Sequence, residues 1–289
     1  MRGFWRVLRW ELFKLYRRPA SYLGFVLALV FCVAVLIGFG WSDLKGKEVM
    51  GLKLDRSVYL NGPFYANFVL NVGFFAILPL LSATLAGGQL AGEARDGTLR
   101  AMLLRPPSRV TIYLAKAAAT LLWTQLLITF LILLALLIGH VAYGGGGMLI
   151  YIWEYKRSGF WIIPSDQWPL MLVWASLGAG ASLALVAGVA LLLSTLTENP
   201  VAAHVGTLGA FFMSTVLQRL PDQLMGEGFK DLLPTSHMNF WHEAYRWYHP
   251  DGSTVDHARL WTDVAWTGGL AAVCFTAGLI VFVRRDITS

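Results

Sequence analysis

The sequence predicts an all-α integral membrane protein, with six transmembrane helices preceded by an amphipathic interfacial helix. Two observations carry this. Hydrophobic residues make up 56% of the 289 residues and charged residues only 14%, with a mean hydropathy of +0.58, far above what a soluble domain needs to fill its core. Charges leave uncharged runs at 19–42, 57–92, 117–153, 167–197, 199–218 and 264–283. Each holds about 20 mostly apolar residues, enough to cross a hydrocarbon core as helix. The expected spans are about 21–41, 64–90, 113–141, 170–195, 200–218 and 262–283, in a single transmembrane domain over 1–289.

Residues 1–19, MRGFWRVLRWELFKLYRRP, come first. A helical projection gathers Phe4, Trp5, Leu8, Leu12, Leu15 and Tyr16 on one stripe, with Arg2, Arg6, Arg9, Lys14 and Arg17 on the rest and Trp10 and Phe13 among them. That pattern predicts a helix in the cytoplasmic interface, its basic face on anionic headgroups and its aromatic stripe toward the acyl chains, ended by Pro19. The apolar run that follows is longer than a signal-peptide core and lacks a small-residue cleavage site, so it is expected to stay as the first span.

Orientation follows from the cations. Residues 1–20 hold six Lys and Arg, residues 92–116 hold five and the tail adds Arg284 and Arg285, all on one side of a six-span topology. The opposite side has ten spread over longer loops. Both termini are therefore expected in the cytoplasm of a multi-pass protein in a bacterial plasma (inner) membrane.

In the second span Pro79 should produce a kink, and Ala83, Gly87 and Ala91 form a small-residue face at its inner end. The segment GEARDGTLRAMLLRPPSRVTIYLAK, residues 92–116, carries seven charges in 25 residues. Asp96 can cap a two-turn helix through TLRAMLL, which Pro106 and Pro107 must end. That helix would present Arg100 outward and Leu99, Met102, Leu103 and Leu104 as an apolar patch, suited to docking a cytoplasmic partner. Ser108 caps the next helix, and Lys116 can snorkel back to the interface.

Gly144–Gly147 is expected to be a flexible exit from the third span, followed by an outer aromatic belt of Tyr151, Trp153, Trp161 and Trp168. In the fourth span Gly180, Ala184 and Gly188 are four apart and let another helix approach, within the chain or across a dimer. Cys32 and Cys274 fall inside spans and are expected to be small packing residues. The outer loop 219–260 contains His237, Met238, His242, His249 and His257 among aromatics. Copper or zinc binding by His237, Met238, His242 and His249 is the lesser reading there, against an amphipathic segment resting on the outer leaflet, and no metal site is expected.

At residues 92–116 the chain resembles the permease subunits of ATP-binding-cassette transporters of the type-2 exporter class. The resemblance rests on Glu93, Gly97-Thr98-Leu99, Leu103-Leu104, Arg105-Pro106, Ser108-Arg109 and Lys116, and on the topology: an amphipathic amino-terminal helix and six spans. It implies that 92–109 is a cytoplasmic coupling segment contacting a nucleotide-binding ATPase subunit through Glu93, Asp96, Gly97, Thr98, Leu99, Arg100, Leu103, Leu104 and Arg105. Where many members carry a second acidic residue after the motif Glu, this chain has Ala94-Arg95. The resemblance further implies a second permease copy or homologue, surrounding membrane lipids, no nucleic acid, and a short re-entrant or interfacial element between spans five and six.

No G-x-x-x-x-G-K-[ST] occurs, so no cofactor is expected in this chain, and ATP and Mg are expected in the partner subunit. The predicted function is that of a non-catalytic permease subunit coupling that ATPase to export or to conformational work. The alternative is a stand-alone membrane protein, either an intramembrane hydrolase or a scaffold or anchor for an extracytoplasmic complex. As a hydrolase it would use Ser182 with His204 or His140. In HEAYRWYH, Arg246 stands where a zinc protease needs its second His.

Overall fold

The computed structural model describes residues 2–41, 60–99, 107–152, 159–221, 228–247 and 256–285. Helix α1 (Arg2–Arg17) meets α2 (Pro19–Trp41) at Arg18, and Pro19 opens α2, where its missing N–H costs nothing. The second apolar run forms two helices, α3 (Gly62–Ala76) and α4 (Leu78–Gly87), bent by 49°. Pro79 follows the break directly, because a proline there cannot donate to the carbonyl four residues earlier. A five-residue helix α5 (Ala91–Arg95) comes next. Then α6 (Arg109–Tyr143) runs 35 residues, about 52 Å at 1.5 Å per residue, from a Ser108 side-chain cap.

Strands β1 (Met148–Ile152) and β2 (Gly159–Ile163) follow, then α7 (Trp168–Leu196), α8 (Pro200–Arg219), three 3-10 turns over 230–242, α9 (Glu243–Arg246) and α10 (His257–Arg284). Among the described residues α2, α6, α7, α8 and α10 are long and apolar enough to cross a membrane, and the bent α3–α4 pair makes a sixth if it is one span. The chain is an all-α integral membrane protein.

Helix α7 lies at the centre, packed against α10, α4, α6 and α8. Its small residues explain why: Ala175, Ala179, Ala187, Gly188 and Ala190 are all buried. A Cβ on Gly188 would sit 3.3 Å from the Ala271 carbonyl and from Cys274 of α10, so that helix is a neighbour within the same chain. Likewise Gly87 faces His204 and Ala203 of α8. Cys32 is fully buried and Cys274 partly so, both as free thiols.

Four expectations need correction. The stretch after the third span is an antiparallel hairpin, pairing Met148 with Ile163 and Ile150 with Trp161, and Met148, Leu149, Ile150 and Ile163 are buried. A membrane-belt reading missed it because its apolar residues cover the end of the bundle; Trp153 lies outside the described residues. Gly144–Gly147 is an ordered turn, with φ of +80° at Gly144 and the Gly62 N–H donating to the Gly144 carbonyl at 2.9 Å. The described part of the 219–260 loop turns inward: Met238, Trp241 and Tyr245 join the main core, and the Trp241 ring packs 5.3 Å from Phe74. Finally, α1 has two apolar faces. Phe4, Val7, Leu8, Leu12 and Leu15 face the bundle, while Trp5, Trp10, Phe13 and Tyr16 are exposed beside Arg6, Arg9 and Arg17.

Candidate functional site

The end of the bundle that carries α1, α5 and the start of α6 holds a charge cluster that hydropathy alone does not show. Glu11 and Lys14 lie one turn apart on α1, Glu93 sits in α5, and Lys116 lies two turns into α6. Lys14 Nζ lies 2.8 Å from Glu11 Oε1 and donates to Glu93 Oε1 at 2.6 Å. Lys116 Nζ donates to Glu11 Oε2 at 3.2 Å and pairs with Glu93 Oε2 at 2.7 Å. Two ammonium groups alternate with two carboxylates, so the formal charges cancel. The side chains of Lys116 and Glu11 are 0% and 2% exposed.

Taking such groups from water is costly, and only a closed pairing offsets it. Burial alone would push the Glu93 carboxyl up, but Lys116 and then Lys14 outweigh it and hold it below the usual carboxylate range. For Lys14, burial opposes the charged form, while Glu93 and Glu11 carry it above the ordinary lysine value. Both shifts favour the charged forms of Glu93 and Lys14. Lys116 does not snorkel, since its partners lie inside the bundle.

The residues following Glu93 form the exposed turn of this end. Gly97 has a φ of +70°, a conformation in which glycine carries no Cβ penalty, and a helical turn begins at Thr98. Asp96 ends α5 instead of capping the next helix; its carboxylate pairs with Arg95 Nε at 3.0 Å. The Thr98 hydroxyl donates to the Glu93 carbonyl at 3.3 Å. Arg95, Asp96, Gly97 and Thr98 are exposed, whereas Leu99 is 4% exposed and packed with Leu90, Ile112, Tyr113 and Phe282. So Leu99 anchors the segment to this chain's own bundle. Arg100, Leu103, Leu104 and Arg105 lie outside the described residues, as does Met102.

Two further residues secure this end. Ser194 of α7 accepts from the N–H groups of Leu90 and Ala91 and donates to the Gly87 carbonyl, satisfying the backbone where α4 gives way to α5. Arg109, next to the Ser108 cap, donates to the carbonyls of Val283 and Arg285 at 3.1 and 2.7 Å, closing the end of α10. The sequence held one usable signal for the cluster: Glu11 and Lys14, three apart, lie toward the same side of a basic amphipathic helix as Leu8 and Leu15.

The other candidates are not brought together. Ser182 donates to the Gly178 carbonyl inside α7, His140 bonds the Leu136 carbonyl, and His204 packs against Gly87. Glu243 pairs with Arg246 at 3.1 Å. His237 lies 2.6 Å from Asp263 and 2.8 Å from the Asp231 carbonyl and stacks on Trp266, so both ring nitrogens are occupied. His242 is half-buried nearby and Met238 is buried, while His249 lies outside the described residues. No group of three or more His, Cys, Asp or Glu is placed to hold a metal ion among the described residues.

The model of a family described as ABC-2 family transporter protein matches residues 7–191, from α1 through most of α7. This chain belongs to that family. All four members of the charge cluster, with the 92–109 segment, fall within the match. The chain is also similar to "Uncharacterized protein YhcI" of Bacillus subtilis (strain 168), at 34% identity over 82 residues, covering 28% of this chain and 24% of that protein. The aligned part thus spans about a quarter of the length of that relative.

Proposed function

We propose that this permease subunit receives the work of ATP hydrolysis from a separate nucleotide-binding subunit, which supplies both ATP and Mg, and converts it to export or to conformational work. The contact is made by Asp96, Gly97 and Thr98 with Arg100, Leu103, Leu104 and Arg105. The observation that carries this is the charge cluster immediately before that turn. It ties α5 to α1 and α6 through three-element ion pairing, so a push on the turn moves three elements together. Two permease copies and two ATPase subunits form the working assembly, in the bacterial inner membrane, with the basic end and both termini cytoplasmic. Glu93 serves as a fastening inside the permease and Leu99 as an anchor, leaving the exposed residues between them to meet the partner.

The test is co-expression with the partner ATPase and purification of the pair. Asp96→Lys combined with Thr98→Glu, both at exposed positions, should release the ATPase or cut transport-coupled ATP turnover about tenfold, leaving the melting temperature of the permease unchanged. A double variant that still co-purifies and turns over ATP normally shows that the partner docks elsewhere.

A further inference from the structure

A cavity of 430 Å³ opens beside the charge cluster, between the start of α2, the bent second span, α6 and the start of α8. Its volume lies in the range of small-molecule sites. The lining is sorted by depth. At the basic end stand Arg18, Ser21, Gln89 and Arg95; going into the bundle the wall becomes Leu27, Leu80, Leu81, Trp123 and Leu127. Along α2 the step from Arg18 to Leu27 is nine residues, about 13 Å of rise. The wall has two arginines and no acidic side chain among the described residues. Among the described residues Arg95 has an exposed ion pair with Asp96, an interaction weak enough for another anion to displace. Trp123 is 7% exposed, and its indole N–H has no hydrogen-bond partner among the described residues.

A basic mouth continuous with a leucine-lined slot matches an amphiphile whose head is anionic and whose tail is apolar. A soluble anion would leave the slot unfilled, and a neutral lipid would leave the arginines unused. We propose that this cavity binds an anionic lipid of the cytoplasmic leaflet, with its phosphate between Arg18 and Arg95 and an acyl chain along Leu80, Leu81 and Leu127. The depth order makes the fit: the arginines stand at the basic end, Arg18 just before α2 and Arg95 at the close of α5, and the slot runs from there along the helices, the direction an acyl chain would take. Gly92 and Arg95 flank Glu93, and Leu15 follows Lys14, so the lipid would rest against the same elements the charge cluster ties. Only the leaflet rests on the orientation given above; binding itself is independent of ATPase docking.

Native mass spectrometry of the full-length permease in neutral detergent tests this without any ATPase, using phosphatidylglycerol and phosphatidylcholine with identical acyl chains. The expected result is one tightly held phosphatidylglycerol, preferred about tenfold over phosphatidylcholine. Arg18→Gln and Arg95→Gln should each weaken it about fivefold. Leu80→Trp, which fills the slot, should displace both lipids, and inorganic phosphate should displace neither. Equal retention of the two lipids, a preference that survives both arginine substitutions, or competition by inorganic phosphate would overturn the proposal. So would a dimer in which neither lipid is held, which would give the cavity to a second copy of this chain. Because Arg18 and Arg95 are exposed, their variants decide the matter even if Leu80→Trp folds poorly.

Discussion

Replacing Lys116 by methionine would leave Glu11 and Glu93 buried with Lys14 as their common partner. Breaking a buried pair by removing one member typically costs about 3–5 kcal/mol, because the remaining charge is stranded. Lys116→Met should therefore lower the melting temperature of the detergent-purified permease sharply, and adding Glu11→Gln should restore part of the loss. If the double variant is no better than the single one, the two side chains are not energetically paired. A second residue-scale prediction concerns His242, which burial, and after it Arg246, pushes down to about 4 from the usual 6.5. The unfolded chain takes up a proton there below about pH 6.5 while the folded chain does not until about pH 4. Stability is thus present above 6.5 and lost as pH falls through that window. Glu243 works the other way, since burial raises its carboxyl. His242 alone sets a loss on the order of 3 kcal/mol, which Glu243 reduces, and His242→Gln should flatten it in melts run across the window. These roles were only partly legible. A charged residue at the end of a span reads as interfacial unless its partners are known, and the partners of Lys116 lie 105 and 23 positions earlier in the chain.

Elements were more legible than contacts, because a run of apolar residues with defined ends states both the type and the length of a transmembrane helix. Pro79 announced the bend in the second span, and Ser108 announced the start of α6. The hairpin at 148–163 escaped notice: its short apolar runs fit strand, buried helix and interfacial belt equally well by periodicity. The two-faced α1 was misread for a related reason. Projection locates apolar residues but not which of them meet protein, and Trp5 and Tyr16 were grouped with Leu8 and Leu15 although only the leucines are buried. For packing, the prediction is that Gly188→Leu forces α7 from α10, given the 3.3 Å approach to the Ala271 carbonyl. Overpacking of this kind costs about 1–3 kcal/mol. Gly209→Leu, at a helical position with nothing within 4 Å of the added Cβ, should be tolerated in the same thermal assay.

On the scale of the whole molecule, the architecture separates a helical body from one polar end where three segments distant in sequence are fastened by ions. The body follows from composition, while the fastening follows from four particular side chains. A buried ion cluster contributes less to stability than well-packed apolar groups of the same size would. Its value here is geometric, since it fixes α5, and with it the turn at 96–98, relative to α1 and α6. On the proposed function, ATP-driven motion enters at that turn. The most direct measurement is disulfide cross-linking from Thr98→Cys to a cysteine placed in the docking groove of the partner ATPase, compared between nucleotide-free and ATP-bound complexes in lipid. The expected result is a permease–ATPase adduct whose yield changes with nucleotide, and none from a cysteine at Asp166 at the opposite end of the bundle. Equal yields from the two positions, or no adduct at position 98 in a complex that still turns over ATP, would contradict it.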